Sequence, residues 1–411
     1  MRWPVAGLLT VGVIIAYIDR INLSFALPEM ARSFSLSPQS SGLLLSAFFW
    51  SYAALQVPAG WVVDRLGVKW PYAIAFLFWS VISASTALVG SLAALLAVRV
   101  LLGVGESIVT PAGMRYIRSH FAEKERGLAI GVFMSGTKYG PALGGPIAAY
   151  LVRDYGWQWM FVLTGAGCLL WLFPWVLLMR NGEGGVPAVA EPGATDRRTG
   201  ESASWGAILA SPVMWGTFLA TFCYMYFVYF CMTWMPIYFK QRRGLSLTNS
   251  GWFTFMSFGG MATIAILAGF AADRLIGRGA DPVRVRKIFS IAGFVLASSQ
   301  IIGAFTNSIP VALFFAVFSL SGLGLTTANY WALTQTLMPG SVIGRVAGIQ
   351  NTAANLAGVV SPWVTGVIIH QTGRFDAPLV AIGFWLLVGI GCYVFLVREK
   401  YAPGSLGRVA V

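Results

Sequence analysis

The chain alternates long apolar runs with short polar breaks. The runs lie near 4–27, 40–63, 71–90, 92–117, 127–151, 158–179, 212–239, 250–272, 288–306, 310–337, 344–369 and 378–397. A hydrocarbon core about 30 Å thick is crossed by a helix of roughly 20 residues, so each run is a candidate span. Runs longer than this call for tilt or a kink. The pattern predicts an all-α membrane protein with twelve transmembrane helices. Composition agrees: 57% of the 411 residues are hydrophobic and 10% are charged, where a soluble domain carries about 25% charge. The first run continues through Asp19 and Arg20 to Pro28 without a small-residue cleavage site, so it reads as a span and not as a cleaved signal.

The longest polar stretch, 180–206, is rich in Gly, Pro, Ala and charge and reads as a flexible linker. It follows the sixth run and divides the chain into a first six-helix bundle (1–180), a cytoplasmic linker (181–206) and a second six-helix bundle (207–411). The halves repeat a motif. GWVVDRLGVK after the second run contains Gly60, Asp64, Arg65 and Gly67, and GFAADRLIGR after the eighth contains Gly269, Asp273, Arg274 and Gly277. An aspartate at a helix end can pair with a basic group on a neighbouring helix, and glycine lets that helix approach closely. Asp64, Arg65, Asp273 and Arg274 are therefore expected to form a cytoplasmic gate that latches in one conformation and releases in another.

The net charge of +13 reflects topology and not a nucleic-acid partner. With a cytoplasmic N-terminus, 19 of the 28 Lys and Arg residues fall in cytoplasmic segments, six in external ones and three inside the membrane. That asymmetry places both termini in the cytoplasm, in a cell inner membrane. Cys168, Cys223, Cys231 and Cys392 lie in apolar runs without metal-ligand spacing, so no metal or cofactor is expected. His120 and His370 fall near opposite faces and no nucleotide-binding loop is present, which argues against an enzyme or an ATP-driven pump.

With its doubled loop motif and six-plus-six division, the chain resembles the major facilitator superfamily over nearly its whole length. The resemblance implies two pseudo-symmetric six-helix bundles around a central cavity, with rocker-type alternating access and a functional monomer.

Five ionisable residues fall deep inside helices: Asp19, Arg20, Arg99, Glu106 and Lys138. Each would cost at least about 2.5–3.5 kcal/mol facing lipid, so they should face the cavity and one another. At about 1.5 Å per residue, Arg20 and Arg99 both lie roughly 10 Å from the external ends of their helices. Glu106 is two turns below Arg99. This arithmetic predicts two layers, with Asp19, Arg20 and Arg99 above and Glu106 and Lys138 below. Three cations against two carboxylates leave one excess positive charge, which a bound anion would complete. A substrate carboxylate would compete for the cations, and the displaced Asp or Glu would take up a proton. Substrate and proton would then move together.

The segments around these charges resemble the anion:cation symporter family more narrowly. They are YIDRINLSFALPEM from Tyr17, RVLLGVGESIVTPAGMRY from Arg99, TWMPIYF from Thr233 and GIQNTAANLAGVVSP from Gly348. That resemblance implies uptake of a sugar acid or other organic anion. It implies Asp19 and Glu106 as proton-coupling carboxylates, Arg20 as the substrate-carboxylate ligand, and Tyr17, Tyr52 and Asn355 as pocket-lining residues. Arg99 is a candidate partner of Asp19. Lys138 resembles a lysine of sialin-like members where many bacterial sugar-acid carriers have an uncharged residue; a second acidic group on the substrate, such as a dicarboxylate or sulfonate, or a different salt-bridge partner for Glu106 would account for it. Tyr224, Tyr226, Tyr229, Asn329 and Thr334 are further lining candidates from helical placement alone, since tyrosine offers both a ring face and a hydroxyl.

Two other classes compete. GTKYGPALGGP, from Gly136 to Pro146, resembles a signature of drug–proton antiporters in the same superfamily. An exporter of lipophilic cations should carry an unpaired carboxylate and few cations, the opposite of the balance here. A non-transporting membrane sensor would need an output domain, and the longest polar stretch is only the linker.

Overall fold

The longest continuous helical run, Glu125–Leu178, covers 54 residues and turns at Gly156, whose φ of +84° lies in the left-handed region that favours glycine. It therefore makes two spans, α5 (125–155) and α6 (157–178). In this computed structural model, which describes residues 2–179, 205–338 and 343–401, ten further helices are long and apolar enough to cross a membrane. They are α1 (Arg2–Ser33), α2 (Pro38–Leu66), α3 (Lys69–Leu88), α4 (Leu92–His120), α7 (Pro212–Thr233), α8 (Leu247–Gly277), α9 (Pro282–Phe305), α10 (Ile309–Leu337), α11 (Arg345–Thr372) and α12 (Ala377–Leu396). The twelve expected spans are thus all present. Most overrun their apolar runs, because the polar residues at helix ends continue the helix beyond the apolar core.

Several spans are interrupted, among them α9 at Ser299. The seventh run, expected over 212–239, breaks at Trp234 and resumes as the short helix Met235–Gln241. The helix α4 breaks directly after Glu106, and α10 breaks at Leu323, at nearly the same depth in the repeat. The expected linker lies outside the described residues, except for 205 and 206, which begin a short helix, Trp205–Ala210.

The described residues form two compact units. The first takes 2–179 with Met232–Phe255 and Pro362–His370; the second takes 205–231, Met256–Ser361 and 371–401. Within the first unit, α1 lies along a glycine ladder on α5. A Cβ added at Gly136 would come within 2.9 Å of Thr10 O and Val13, one at Gly140 would overlap Tyr17, and one at Gly144 would meet Ile21 at 2.7 Å. Small residues at every fourth position let two backbones approach in lipid, where apolar side chains alone give no driving force for association. The GxxxG pattern of this helix thus has a packing role.

Also within the first unit, the second-half segments join α1, α2 and α5. Ser24 Oγ donates to Met232 O (3.0 Å), Trp234 Nε1 donates to Pro362 O (3.0 Å), and Lys240 Nζ lies 3.6 Å from Glu29 Oε1. Gly42 meets Gly366 and Gly145 meets Gly251, so backbone rests on backbone at two places.

Candidate functional site

Consecutive residues on a helix point about 100° apart, and α1 uses this at its two adjacent charges. Asp19 turns toward α3, where its Oδ1 accepts from Ser83 Oγ at 2.9 Å. Arg20 turns toward α2 and α4, and its Nε donates to Glu106 Oε2 at 2.8 Å. Both partners of this ion pair are buried, Arg20 to 3% exposure and Glu106 to 0%.

Three rings enclose the Arg20 guanidinium. Its carbon lies 4.3 Å from the centroid of Tyr17, 4.6 Å from Phe48 and 4.5 Å from Tyr52. The negative face of an aromatic ring attracts a cation, most strongly where water is excluded. Arg99, also buried, stands 5.6 Å from the Phe48 centroid. Among the described residues, Asp19 Oδ2, Arg99 Nε and Glu106 Oε1 are buried polar atoms without a hydrogen-bond partner. A site that holds ionisable groups with spare donors and acceptors can accept a polar ligand or a proton.

The two expected layers are regrouped. Depth along the chain puts Arg20 in the upper one with Asp19 and Arg99, yet it reaches down to Glu106, because an arginine side chain spans more than a helical turn. Glu106 forms its ion pair with Arg20. Lys138 is partly exposed on α5, between the packing glycines Gly136 and Gly140.

The second-half candidates lie in the second unit. Tyr226 is buried, with its ring 5.8 Å from Trp385 and its carbonyl accepting from Ser361 Oγ at 2.9 Å. Tyr224 and Thr327 share a hydrogen bond of 2.9 Å between their hydroxyls, and Asn329 Nδ2 donates to Leu325 O. Thr334 Oγ1 donates to Tyr330 O of its own helix at 3.0 Å. Tyr229 and Asn355 are buried. Gln350, not singled out from sequence, donates to Thr221 Oγ1 at 2.9 Å and leaves its Oε1 without a partner among the described residues.

At the helix ends, Asp64 accepts from Arg115 on α4, and Asp273 lies 3.4 Å from Arg286 on α9. Each copy of the motif therefore finds a basic partner on a neighbouring helix, though not the equivalent one. Arg65 covers the ring of Trp61, one turn earlier, at 4.3 Å, and Arg274 is exposed.

The sequence pattern does not single out Ser83 or Phe48. Ser83 carried a faint signal, since Ser80 and Ser83 interrupt an apolar helix at a spacing that shares a face. Phe48 carried none, being one of 28 phenylalanines.

The sequence profile described as Major Facilitator Superfamily matches residues 9–362. The chain is 28% identical over 430 aligned positions to the "Probable galactarate/D-glucarate transporter GarP" of Escherichia coli strain K12, covering 97% of this chain and 95% of that one. It is 30% identical to the "Probable sulfoacetate transporter SauU" of Cupriavidus necator, over 96% and 94% of the two chains. Its fold matches that of a bacterial homologue of the human lysosomal transporter Spinster, crystallised inward-facing and unoccupied. The TM-score is 0.80, with 18% identity and 97% of each chain covered.

Proposed function

The chain belongs to the Major Facilitator Superfamily, and from that footing we propose that it takes up a small organic anion together with protons by alternating access. The observation that carries this reading is the buried Arg20–Glu106 ion pair at 2.8 Å, enclosed by Tyr17, Phe48 and Tyr52. An arginine fork is matched to a carboxylate. In the empty site Glu106 is that carboxylate. A substrate carboxylate takes its place on Arg20, and Glu106, left without its cation in a buried setting, accepts a proton. Asp19 is the second coupling carboxylate, held by Ser83 and charge-balanced by Arg99. Tyr17 and Tyr52 line the substrate beside Arg20. Tyr226, Tyr229, Asn355 and Thr334 supply contacts from the second half, and Lys138 serves a second acidic group.

The names of the two curated relatives, one for sugar diacids and one for a sulfonated acid, point to the same ligand class. Asp64, Arg65, Asp273 and Arg274 act as the cytoplasmic gate. The protein works as a monomer in the plasma membrane with both termini cytoplasmic.

The test is uptake into proteoliposomes with an inward acid gradient, using galactarate, D-glucarate and sulfoacetate. One of these or a close relative accumulates, and Arg20→Ala abolishes its binding. Saturable export of cationic dyes with no anion uptake would overturn the reading in favour of efflux.

A further inference from the structure

Phe48 lies against two buried arginines. The Arg20 and Arg99 guanidinium carbons lie 4.6 Å and 5.6 Å from its ring centroid, so two like charges approach one ring in a region closed to water. Their mutual repulsion is strong where the surroundings are poorly polarisable. Something must hold each cation in place, or the two would rearrange whenever a proton or an anion arrived.

The ring is itself fixed. Phe48 is 0% exposed, stacks on Tyr52 one turn later (5.3 Å, 25° between planes) and meets Phe49 edge-on (5.1 Å, 88°). Tyr52 in turn faces Arg20, so stack and cation form one rigid assembly. A ring locked in this way offers its negative electrostatic potential at a constant place, which an aliphatic side chain of similar volume does not.

We propose that Phe48 is a positioning residue: its ring holds the Arg20 and Arg99 guanidinium groups in place, so that Arg20 keeps the same aim when its carboxylate partner changes from Glu106 to the substrate. The proposal rests on the reading of Arg20 as the anion ligand. It assigns Phe48 no contact with the substrate.

The test replaces Phe48 with mono-, di- and trifluorophenylalanine by site-specific incorporation. Fluorine drains the ring face of negative potential step by step and leaves size and burial nearly unchanged. The KM for the transported anion should climb with each fluorine, reaching roughly tenfold at the third, while maximal velocity changes less than twofold. Phe48→Tyr should stay within about twofold of the wild-type KM, and Phe48→Leu should match or exceed the trifluoro variant. A flat KM across the fluorine series, or a normal KM in Phe48→Leu, overturns the proposal.

Melting temperature without ligand gives a second readout that does not depend on transport. Fluorination makes a ring more apolar, so packing alone predicts an unchanged or higher temperature, whereas the loss of two cation contacts predicts a stepwise fall. If the wild-type protein takes up no anion, the functional reading fails and this melting series decides the role of Phe48: a fall supports it, and an unchanged or rising temperature overturns it.

Discussion

Asp19 and Arg20 are adjacent in the chain, and α1 turns them to different partners, Ser83 on α3 and Glu106 on α4. The two carboxylates of the site are therefore held unlike one another. Glu106 is in direct contact with a cation, and Asp19 is held by a neutral hydroxyl. On the proposed function, an arriving anion would compete for the arginine and so act on Glu106 first. The proposed division of labour between the two acids would then follow from where one helix points two consecutive side chains.

Glu106→Gln tests that division. Glutamine keeps a carbonyl oxygen to accept from Arg20 Nε but can neither carry charge nor take up a proton. Counterflow exchange of the anion should persist, because it needs no net proton movement. Accumulation driven by an acid gradient should disappear. A Gln variant that still concentrates substrate against its gradient would remove Glu106 from the coupling step.

The glycine ladder on α5 makes a structural prediction with an internal control. Any side chain at Gly140 overlaps Tyr17 of α1. Overpacking of this kind costs about 1–3 kcal/mol or more, so Gly140→Val should lower the melting temperature in detergent clearly. At Gly131 on the same helix an added Cβ meets nothing within 4 Å. Gly131→Ala should be neutral or slightly stabilising, by up to about 1 kcal/mol, because alanine loses less backbone freedom in a helix. Equal effects at the two positions would show that helix propensity, and not the α1–α5 contact, governs both.

The sequence made the spans legible because the period of apolar runs records the thickness of the bilayer. It also made the deep charges legible, because each stands out against an apolar background. Depth along a helix is simple arithmetic, and it placed Arg20 and Glu106 in separate layers. Reach is not: a long side chain joined the two. Phe48 and Ser83 escaped notice for a different reason. A phenylalanine in a transmembrane helix looks like any other apolar residue, and its use becomes visible only when two guanidinium groups are found beside its ring.

Asp64 and Arg115 form an ion pair at the end of α2 that is largely exposed. Exposed pairs contribute about 0–1 kcal/mol, so Asp64→Asn should leave the melting temperature within a few degrees of wild type. If the pair is a gate, maximal transport velocity should fall severalfold while the apparent affinity for the anion is preserved. Asp273→Asn should have a smaller effect, because the Asp273–Arg286 pair is longer, at 3.4 Å. A loss of affinity with unchanged velocity would assign Asp64 to the substrate site and not to a moving part.

Gly42 carries the last prediction. A Cβ there would come 2.6 Å from Pro362 O and 3.0 Å from Gly366 Cα, both backbone atoms of α11 that cannot rotate aside. Gly42→Ala should therefore oppose the packing of 362–370 against α2 without touching the buried charges. In an alternating-access cycle this biases the protein toward the state in which these segments have separated. Spin labels placed on α2 and α11 should report a longer distance in the variant, and the anion should still bind while turnover falls. Ala substitution at Gly7, where an added Cβ meets nothing within 4 Å, should change neither distance nor turnover. An unchanged α2–α11 distance in Gly42→Ala would show that the backbone relaxes locally to make room for the methyl group, and that this glycine contact does not control the cycle.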